Sequence, residues 1–175
     1  MPKVFEEGRL TPAPSRGRTS AGILMYRQQG AGLEVLLVHP GGPVWARRDA
    51  GAWSIPKGEY AEGEEPLAAA RREFAEELGT ALPEGETVDL GDVRQKSGKR
   101  VRAWAIAGDL DTTVVRSNTF AMEWPPRSGQ MREFPEVDRA QWFDLAGARE
   151  KVNPAQVALL DRLELMVAAP PRAQP

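Results

Sequence analysis

The chain has no cysteine and a single histidine, His39. Disulfides and thiolate metal sites are therefore excluded. No Ser-His-Asp or Cys-His arrangement is evident, and a lone histidine at a strand end is ordinarily structural. Charge of one sign is also lacking. The formal net charge is −2, so no global basic field draws nucleic acid or an anionic membrane surface. No apolar run approaches the roughly 20 residues of a membrane span. The first residues lack the apolar core of a secretory signal, and Phe5-Glu6-Glu7 is unlike an acid-poor transit peptide. These absences lead us to expect a cytoplasmic protein without a membrane partner.

What remains is an ordinary globular composition: 175 residues, 41% hydrophobic and 27% charged. That length fits one domain able to bury its own core. Residues 1–18 and 169–175 are rich in Pro, Arg and small residues and read as a flexible arm and tail. Residues 19–168 form the domain. Within it, Ala21–Tyr26 and Leu33–His39 are apolar runs of strand length around a loop at 27–32. Gly51–Ile55 is a short strand that stops at Pro56, and Pro66–Leu78 is a helix stopped by Gly79. Val88–Arg94 and Lys99–Ala107 form a hairpin around Ser97-Gly98, and Val137–Phe143 is a late strand. Pro154–Ala168 is a closing helix with Val157, Leu160, Leu163 and Val167 on one stripe. Strands and helices in this order predict an α/β (α+β) fold, a mixed sheet covered by helices.

The chemistry is concentrated on the Pro66–Leu78 helix. Leu67, Ala70, Phe74 and Leu78 fall on one side and face a core. Glu73, Glu76 and Glu77 fall on another at i, i+3 and i+4, where like charges repel by a few tenths of a kcal/mol, roughly. A solvated acidic face is the ordinary explanation. A hard divalent cation reverses the sign of that repulsion, and Mg²⁺ or Mn²⁺ prefers carboxylate oxygens. The helix is preceded by Gly58-Glu59-Tyr60-Ala61-Glu62-Gly63-Glu64. Glu64 can reach back to Arg71 or Arg72 and fix this loop.

Gly58, Glu64, Arg72, Glu73, Phe74, Glu76, Glu77 and Gly79 together resemble the Nudix box, with Thr80 departing from its usual aliphatic end. The resemblance covers 23 residues. It implies a Nudix fold, with a mixed sheet between helices. It implies that Glu73, Glu76 and Glu77 bind Mg²⁺ (Mn²⁺ is an alternative), and that Gly58 offers a carbonyl near the metal. Glu64 and Arg72 would brace the loop. The run Ser54-Ile55-Pro56-Lys57-Gly58 resembles the diadenosine polyphosphate hydrolase branch, with Lys57 against phosphate.

A further carboxylate serves as ligand or general base in many such proteins. Glu136 is placed first for this role, ahead of Glu133 and Glu123. Trp45 and Phe134, along with Phe120 and Trp124, are positioned to stack a base, and each is also an ordinary core aromatic. Arg47 and Arg48 flank Trp45 and, like Arg116 and Arg127, are placed to meet distal phosphates or simply solvent. Lys96, Lys99, Arg100 and Arg102 make the second hairpin basic, which is common at exposed tips.

The expected activity is Mg²⁺-dependent hydrolysis of a diphosphate linkage in a dinucleoside polyphosphate or nucleoside triphosphate. The residues expected to carry catalysis are Glu73, Glu76, Glu77 and Glu136. Nucleotide-sugars and capped RNA are alternative substrates, and a non-catalytic nucleotide-binding module is a further alternative. Nucleic acid is not the expected partner. The chain is expected to be a monomer or homodimer.

Overall fold

The computed structural model describes residues 18–169. Apart from Arg18 and Ala169, the arm and tail lie outside the described residues. Strand β1 (Thr19–Gln29) turns at Gly30-Ala31 into β2 (Gly32–Pro40). The strands thus run through most of the expected loop and leave only a two-residue turn, with Gly30 at φ +60. A short β3 (Lys57–Glu59) precedes helix α1 (Pro66–Leu78). β4 (Thr87–Arg94) and β5 (Arg100–Ala107) form the second hairpin. They are followed by β6 (Thr119–Glu123), β7 (Met131–Pro135), β8 (Val137–Asp144), α2 (Leu145–Lys151) and α3 (Val157–Ala168).

The main sheet runs in the order β4-β5-β1-β2-β8, with β3 also paired to β1. Only the β1–β5 pairing is parallel among the main-sheet ladders. Strand alternation divides the apolar residues between two faces. Leu24, Val35 and Leu37 join a core with Ala148 of α2 and Leu159, Leu160 and Leu163 of α3. Ala21, Ile23, Met25, Leu36 and Val38 join the other with Ala69, Ala70, Phe74 and Leu78 of α1. The sheet is therefore mixed and covered by helices on both faces.

β1 holds two partners along one edge. β2 pairs with Tyr26–Gln29, and β3 pairs with Ser20–Gly22. The chain can pass this closely only because Gly22 has no side chain. A Cβ there would lie 2.6 Å from the Pro56 carbonyl oxygen and 2.7 Å from Lys57 Cβ. The strand expected at Gly51–Ile55 is reduced to isolated bridges, Val38 to Ser54 and Trp53 to Val152. Pairing with β1 begins beyond Pro56, whose carbonyl accepts from the Ile23 amide at 3.0 Å. Pro56 itself has no amide hydrogen with which to continue a ladder.

α1 begins where expected, and its first turn is capped by Glu65, which accepts from the Leu67 and Ala68 amides. Gly79 ends it in the left-handed conformation at φ +72, packed against the Arg116 carbonyl. The closing helix is shorter than expected. Pro154–Gln156 form a 3-10 turn capped by Asn153, and α3 starts at Val157. Its buried stripe is centred on Leu159, Leu160 and Leu163, with Val157 and Val167 half-buried. α2 and the β6–β7 hairpin were not expected. Both are too short to show a clear period in sequence.

Phe74 is fully buried beneath the sheet, whereas Leu165 is 73% exposed. Phe74→Ala is expected to destabilise the fold by about 3–5 kcal/mol, and Leu165→Ala by less than about 0.5 kcal/mol. Urea denaturation midpoints check the contrast.

Candidate active site

β3 crosses close over α1, and this crossing assembles the acidic cluster. A Cβ on Gly58 would lie 1.9 Å from Glu73 Oε2 and 2.0 Å from its Cδ. Only glycine admits the carboxyl group there. One turn further along, Glu77 Oε2 accepts from the Lys57 amide at 3.1 Å. The loop into the helix is fixed by Arg72. Its Nε donates to Glu64 Oε1 at 3.1 Å, and its Nη1 donates to Glu73 Oε1 at 2.8 Å and Glu76 Oε1 at 3.3 Å. Glu64 Oε2 also accepts from the Ala61 amide at 3.3 Å, which ties the loop to itself.

Glu136 comes from the far side, between β7 and β8. Its amide donates to the Asn118 carbonyl at 2.8 Å, and its carbonyl accepts from the Gly41 amide at 2.9 Å. Asn118 in turn donates to the carbonyl of Glu76 at 2.9 Å. The backbone of Glu136 is thus tied to the end of α1 through one residue.

These elements surround a cavity of about 610 Å³. Its acidic side is Glu59, Glu73, Glu76, Glu77 and Glu136, with Lys57 and Gly58 between them. Its apolar lining is Pro40, Val44, Trp45, Phe120 and Met122, beside Gly41 and Gly42. Burial pushes the Glu77 carboxyl up to about 8, opposed by Lys57 and reinforced by Glu73 and Glu136. Glu73 is also raised, by burial first, against the pull of Arg72. Glu136 is raised by burial and by the charge of Glu76. The Lys57 ammonium is pushed down by burial and by Lys99, against the attraction of Glu77, Glu73 and Glu59. The pocket thus concentrates negative charge that it cannot fully solvate.

The cavity brings together most of the residues expected from sequence: Glu73, Glu76, Glu77, Glu136, Gly58, Lys57 and Trp45. Arg47 and Phe134 are not among its lining residues. Phe134 instead sits behind Phe120, with ring centroids 6.1 Å apart. Glu123 accepts from the Gly129 amide at 2.9 Å and Glu133 lies on β7, neither lining the cavity. His39 is fully buried, with its Nδ1 2.7 Å from Asp138 Oδ1 and its Nε2 donating to the Arg48 carbonyl at 2.6 Å. It tethers a loop and does not reach the cavity.

Glu59, Val44 and Met122 are lining residues that sequence reasoning missed. Met122 carried a usable signal, since it stands two residues from Phe120 on a strand and so shares its face.

An oxygen-only donor set with mutual repulsion suits a hard divalent cation. Among the described residues, no three His, Asp or Glu side chains are drawn in at metal-holding spacing. Glu73 and Glu76 are turned to Arg72, and Glu77 to the Lys57 amide. Each of these bonds occupies one oxygen of its carboxylate and leaves the group further acceptor sites able to face an ion. No helix among the described residues is long and apolar enough to cross a membrane.

Comparison with known proteins agrees with this geometry. The family model of the NUDIX domain matches residues 16–163, and the chain belongs to that family, the Nudix hydrolases. Members of the family generally use a divalent metal. The chain is 32% identical over 144 residues to an RNA pyrophosphohydrolase of Rhodospirillum rubrum, covering 78% of this chain and 81% of that protein. It is also 32% identical over 152 residues to an octanoyltransferase of Myxococcus xanthus, covering 85% of this chain. The chain spans only 36% of that relative's length. Among solved structures, the binary complex of a C. elegans Ap4A hydrolase aligns with a TM-score of 0.60 at 20% identity, covering 85% of this chain and 98% of that one. The NUDIX domain of Shewanella oneidensis NrtR with ADP ribose aligns at 0.61 and 14% identity, covering 87% and 89%. These two share the fold with this chain.

The raised Glu77 has a consequence for stability. Between its ordinary value of 4.5 and about 8, the metal-free folded chain holds a proton that the unfolded chain releases. The Glu77 contribution to stability is therefore fully present below this window and is lost as pH rises through it. Glu77→Gln cannot titrate and should flatten that slope. Urea unfolding in chelator from pH 4.5 to 8 reads the difference between the two proteins.

Proposed function

We propose that this chain is a divalent-metal-dependent hydrolase that cleaves a diphosphate linkage in a nucleotide-like substrate, with dinucleoside polyphosphates and nucleoside triphosphates foremost. The observation that carries this reading is the convergence of Glu73, Glu76, Glu77 and Glu136 on one cavity, beside Gly58 and Lys57. The Glu73, Glu76 and Glu77 carboxylates and the Gly58 carbonyl would hold Mg²⁺, with Mn²⁺ as an alternative. When bound, such an ion neutralises phosphate charge and polarises a water.

The protein's own residues supply the rest. Glu136 lines the same cavity as the box glutamates and feels the charge of Glu76. Burial and the charge of Glu76 raise its proton affinity, which suits a proton acceptor. It takes the proton of the attacking water as the water oxygen bonds to phosphorus. The bridging P–O bond breaks, and its electrons leave with the departing phosphate. Lys57 meets the substrate's phosphate charge as a point cation. Arg72 and Glu64 act at a distance, by keeping the loop and the glutamates in register. The absence of cysteine fits a cytoplasmic setting.

A second reading is favoured by one observation. The R. rubrum relative named as an RNA pyrophosphohydrolase is matched over 81% of its own length. A 5′-phosphorylated RNA end presents the same kind of linkage, so it belongs in the substrate panel.

Glu76→Gln is expected to cut turnover at least about a hundredfold by weakening metal-assisted catalysis. The check is Mg²⁺-dependent hydrolysis of dinucleoside polyphosphates, nucleoside triphosphates, nucleotide-sugars and 5′-triphosphorylated RNA, run in ¹⁸O water to mark the attacked phosphorus. Turnover near wild type in that variant contradicts its assignment. No turnover of any of these by the wild-type protein contradicts the function.

A further inference from the structure

β2 ends in a loop that closes back on it. The Trp45 amide donates to the Gly42 carbonyl at 3.3 Å, and the Arg48 amide donates to the Trp45 carbonyl at 2.9 Å. The Arg48 carbonyl then accepts from Nε2 of His39, the penultimate residue of β2, at 2.6 Å. A carbonyl oxygen only accepts, so Nε2 carries a proton. One imidazole thus closes the neck of the loop that gives the cavity Gly41, Gly42, Val44 and Trp45. Residues 44–50 are all exposed, so little apolar burial holds this loop in place.

The other ring nitrogen meets β8. β2 and β8 pair one to one as far as His39 with Arg139, and the next pair is Pro40 with Val137. Asp138 is therefore the extra residue of a bulge, a device that re-aims a side chain. Its Oδ1 lies 2.7 Å from His39 Nδ1, with the imidazole fully buried and the Asp138 side chain 32% exposed. The Trp53 ring meets the imidazole edge-on, with centroids 5.2 Å apart, and limits its rotation. Asp49, just past the neck, accepts from Trp53 Nε1 at 2.8 Å. At the loop's other end the Gly41 amide donates to the Glu136 carbonyl at 2.9 Å. Both ends of the loop are therefore joined to the start of β8, one through Glu136 and one through His39 and Asp138.

We propose that His39 is a positioning residue that holds the 41–48 loop against the start of β8, so that the loop's share of the cavity wall and Glu136 keep one relative geometry. This rests on the hydrolase reading above for its kinetic consequence alone. The imidazole does not line the cavity and acts through the loop. Between Gly42 and Arg48 the backbone bonds are turns internal to the loop, so they do not fix it to the body of the protein. Without the His39 bond the neck opens, and Val44 and Trp45 move relative to Glu136. Glu136 keeps its own backbone bond to Gly41. Ordering the loop then becomes a cost of binding substrate, and the loss falls on affinity more than on the chemical step.

Two substitutions separate the two bonds of the ring. In His39→Gln the amide donor falls near the place of Nε2 and keeps the Arg48 bond, whereas in His39→Asn the polar group falls near Nδ1 and keeps only the Asp138 bond. Trypsin reads the loop directly, because Arg47 and Arg48 are exposed and a cut there requires the chain to open locally. Mass spectrometry assigns the cuts in the full chain, and urea midpoints of the same proteins report global stability. Wild type and His39→Gln are expected to be cut slowly at these two arginines, and His39→Asn about tenfold or more faster at a urea midpoint matching that of His39→Gln. Equal cutting of the two variants overturns the tie. If neither folds, Asp138→Ala decides: faster cutting than wild type supports the tie, and a wild-type rate overturns it. In turnover, His39→Asn should raise KM about tenfold with kcat within about threefold, and His39→Gln should restore KM. A wild-type KM in a variant whose loop is cut faster overturns the positioning role. Proteolysis needs no substrate, so a wild-type protein without turnover contradicts the hydrolase reading while the cutting rates still decide the tie.

Discussion

The packing of the Glu73 carboxyl group onto the bare Cα of Gly58 sets the geometry of the whole site. It lets β3 lie close across α1, with no side chain at Gly58 between them. β3 is in turn fixed on β1, where Gly22 permits a second close approach. Two glycines therefore couple the acidic helix to the central strand. The carboxylates are held against backbone instead of extending into water, and their burial drives their proton affinities upward. A cluster strained in this way is stabilised by positive charge, whether a proton, the Arg72 guanidinium or a divalent ion.

Arg72 is the internal counterion of this cluster. It reaches Glu64, Glu73 and Glu76 at once, and its partners draw it well above its ordinary proton affinity. Its exposure and shared contacts mean that none of these pairs alone is a strong source of stability. Their value is geometric. They hold the loop after β3 against α1 and offset the repulsion between two glutamates. Arg72 thus contacts one oxygen each of Glu73 and Glu76, two of the residues proposed above as cation ligands. Glu136 approaches from β8 through a backbone chain that begins at the C-terminus of α1.

The sequence disclosed the acidic half of the site far better than the apolar half. Glu73, Glu76 and Glu77 lie within one helix, so helical spacing alone puts their side chains on one side. The spacing from Gly58 to Gly79 is local in the same sense. Val44 meets Phe120 and Met122 only through tertiary folding, across segments far apart in the chain, and of the two β6 residues only Phe120 was among the candidates read from sequence. Phe134 illustrates the limit. It lies near Phe120 in sequence and was an equal choice for stacking, yet the β6–β7 register pairs it with Phe120 as support. Arg47 was equally plausible beside Trp45, but a tight turn spreads adjacent side chains in different directions. For the fold, β1, β2, α1 and the β4–β5 hairpin were readable from apolar runs, turn residues and helix-end signals. The pairing of β3 was hidden by Pro56, and α2 by its seven-residue length.

The central claim is that the glutamates of α1 form a seat for a hard cation. Titration of Mn²⁺ followed by electron paramagnetic resonance, with AMP present, measures this directly. The account predicts saturable binding to the wild-type chain and at least tenfold weaker binding in a Glu73→Gln, Glu76→Gln double variant that remains folded. Wild-type protein that leaves the Mn²⁺ signal unchanged, or a double variant that binds as tightly as wild type, would contradict it.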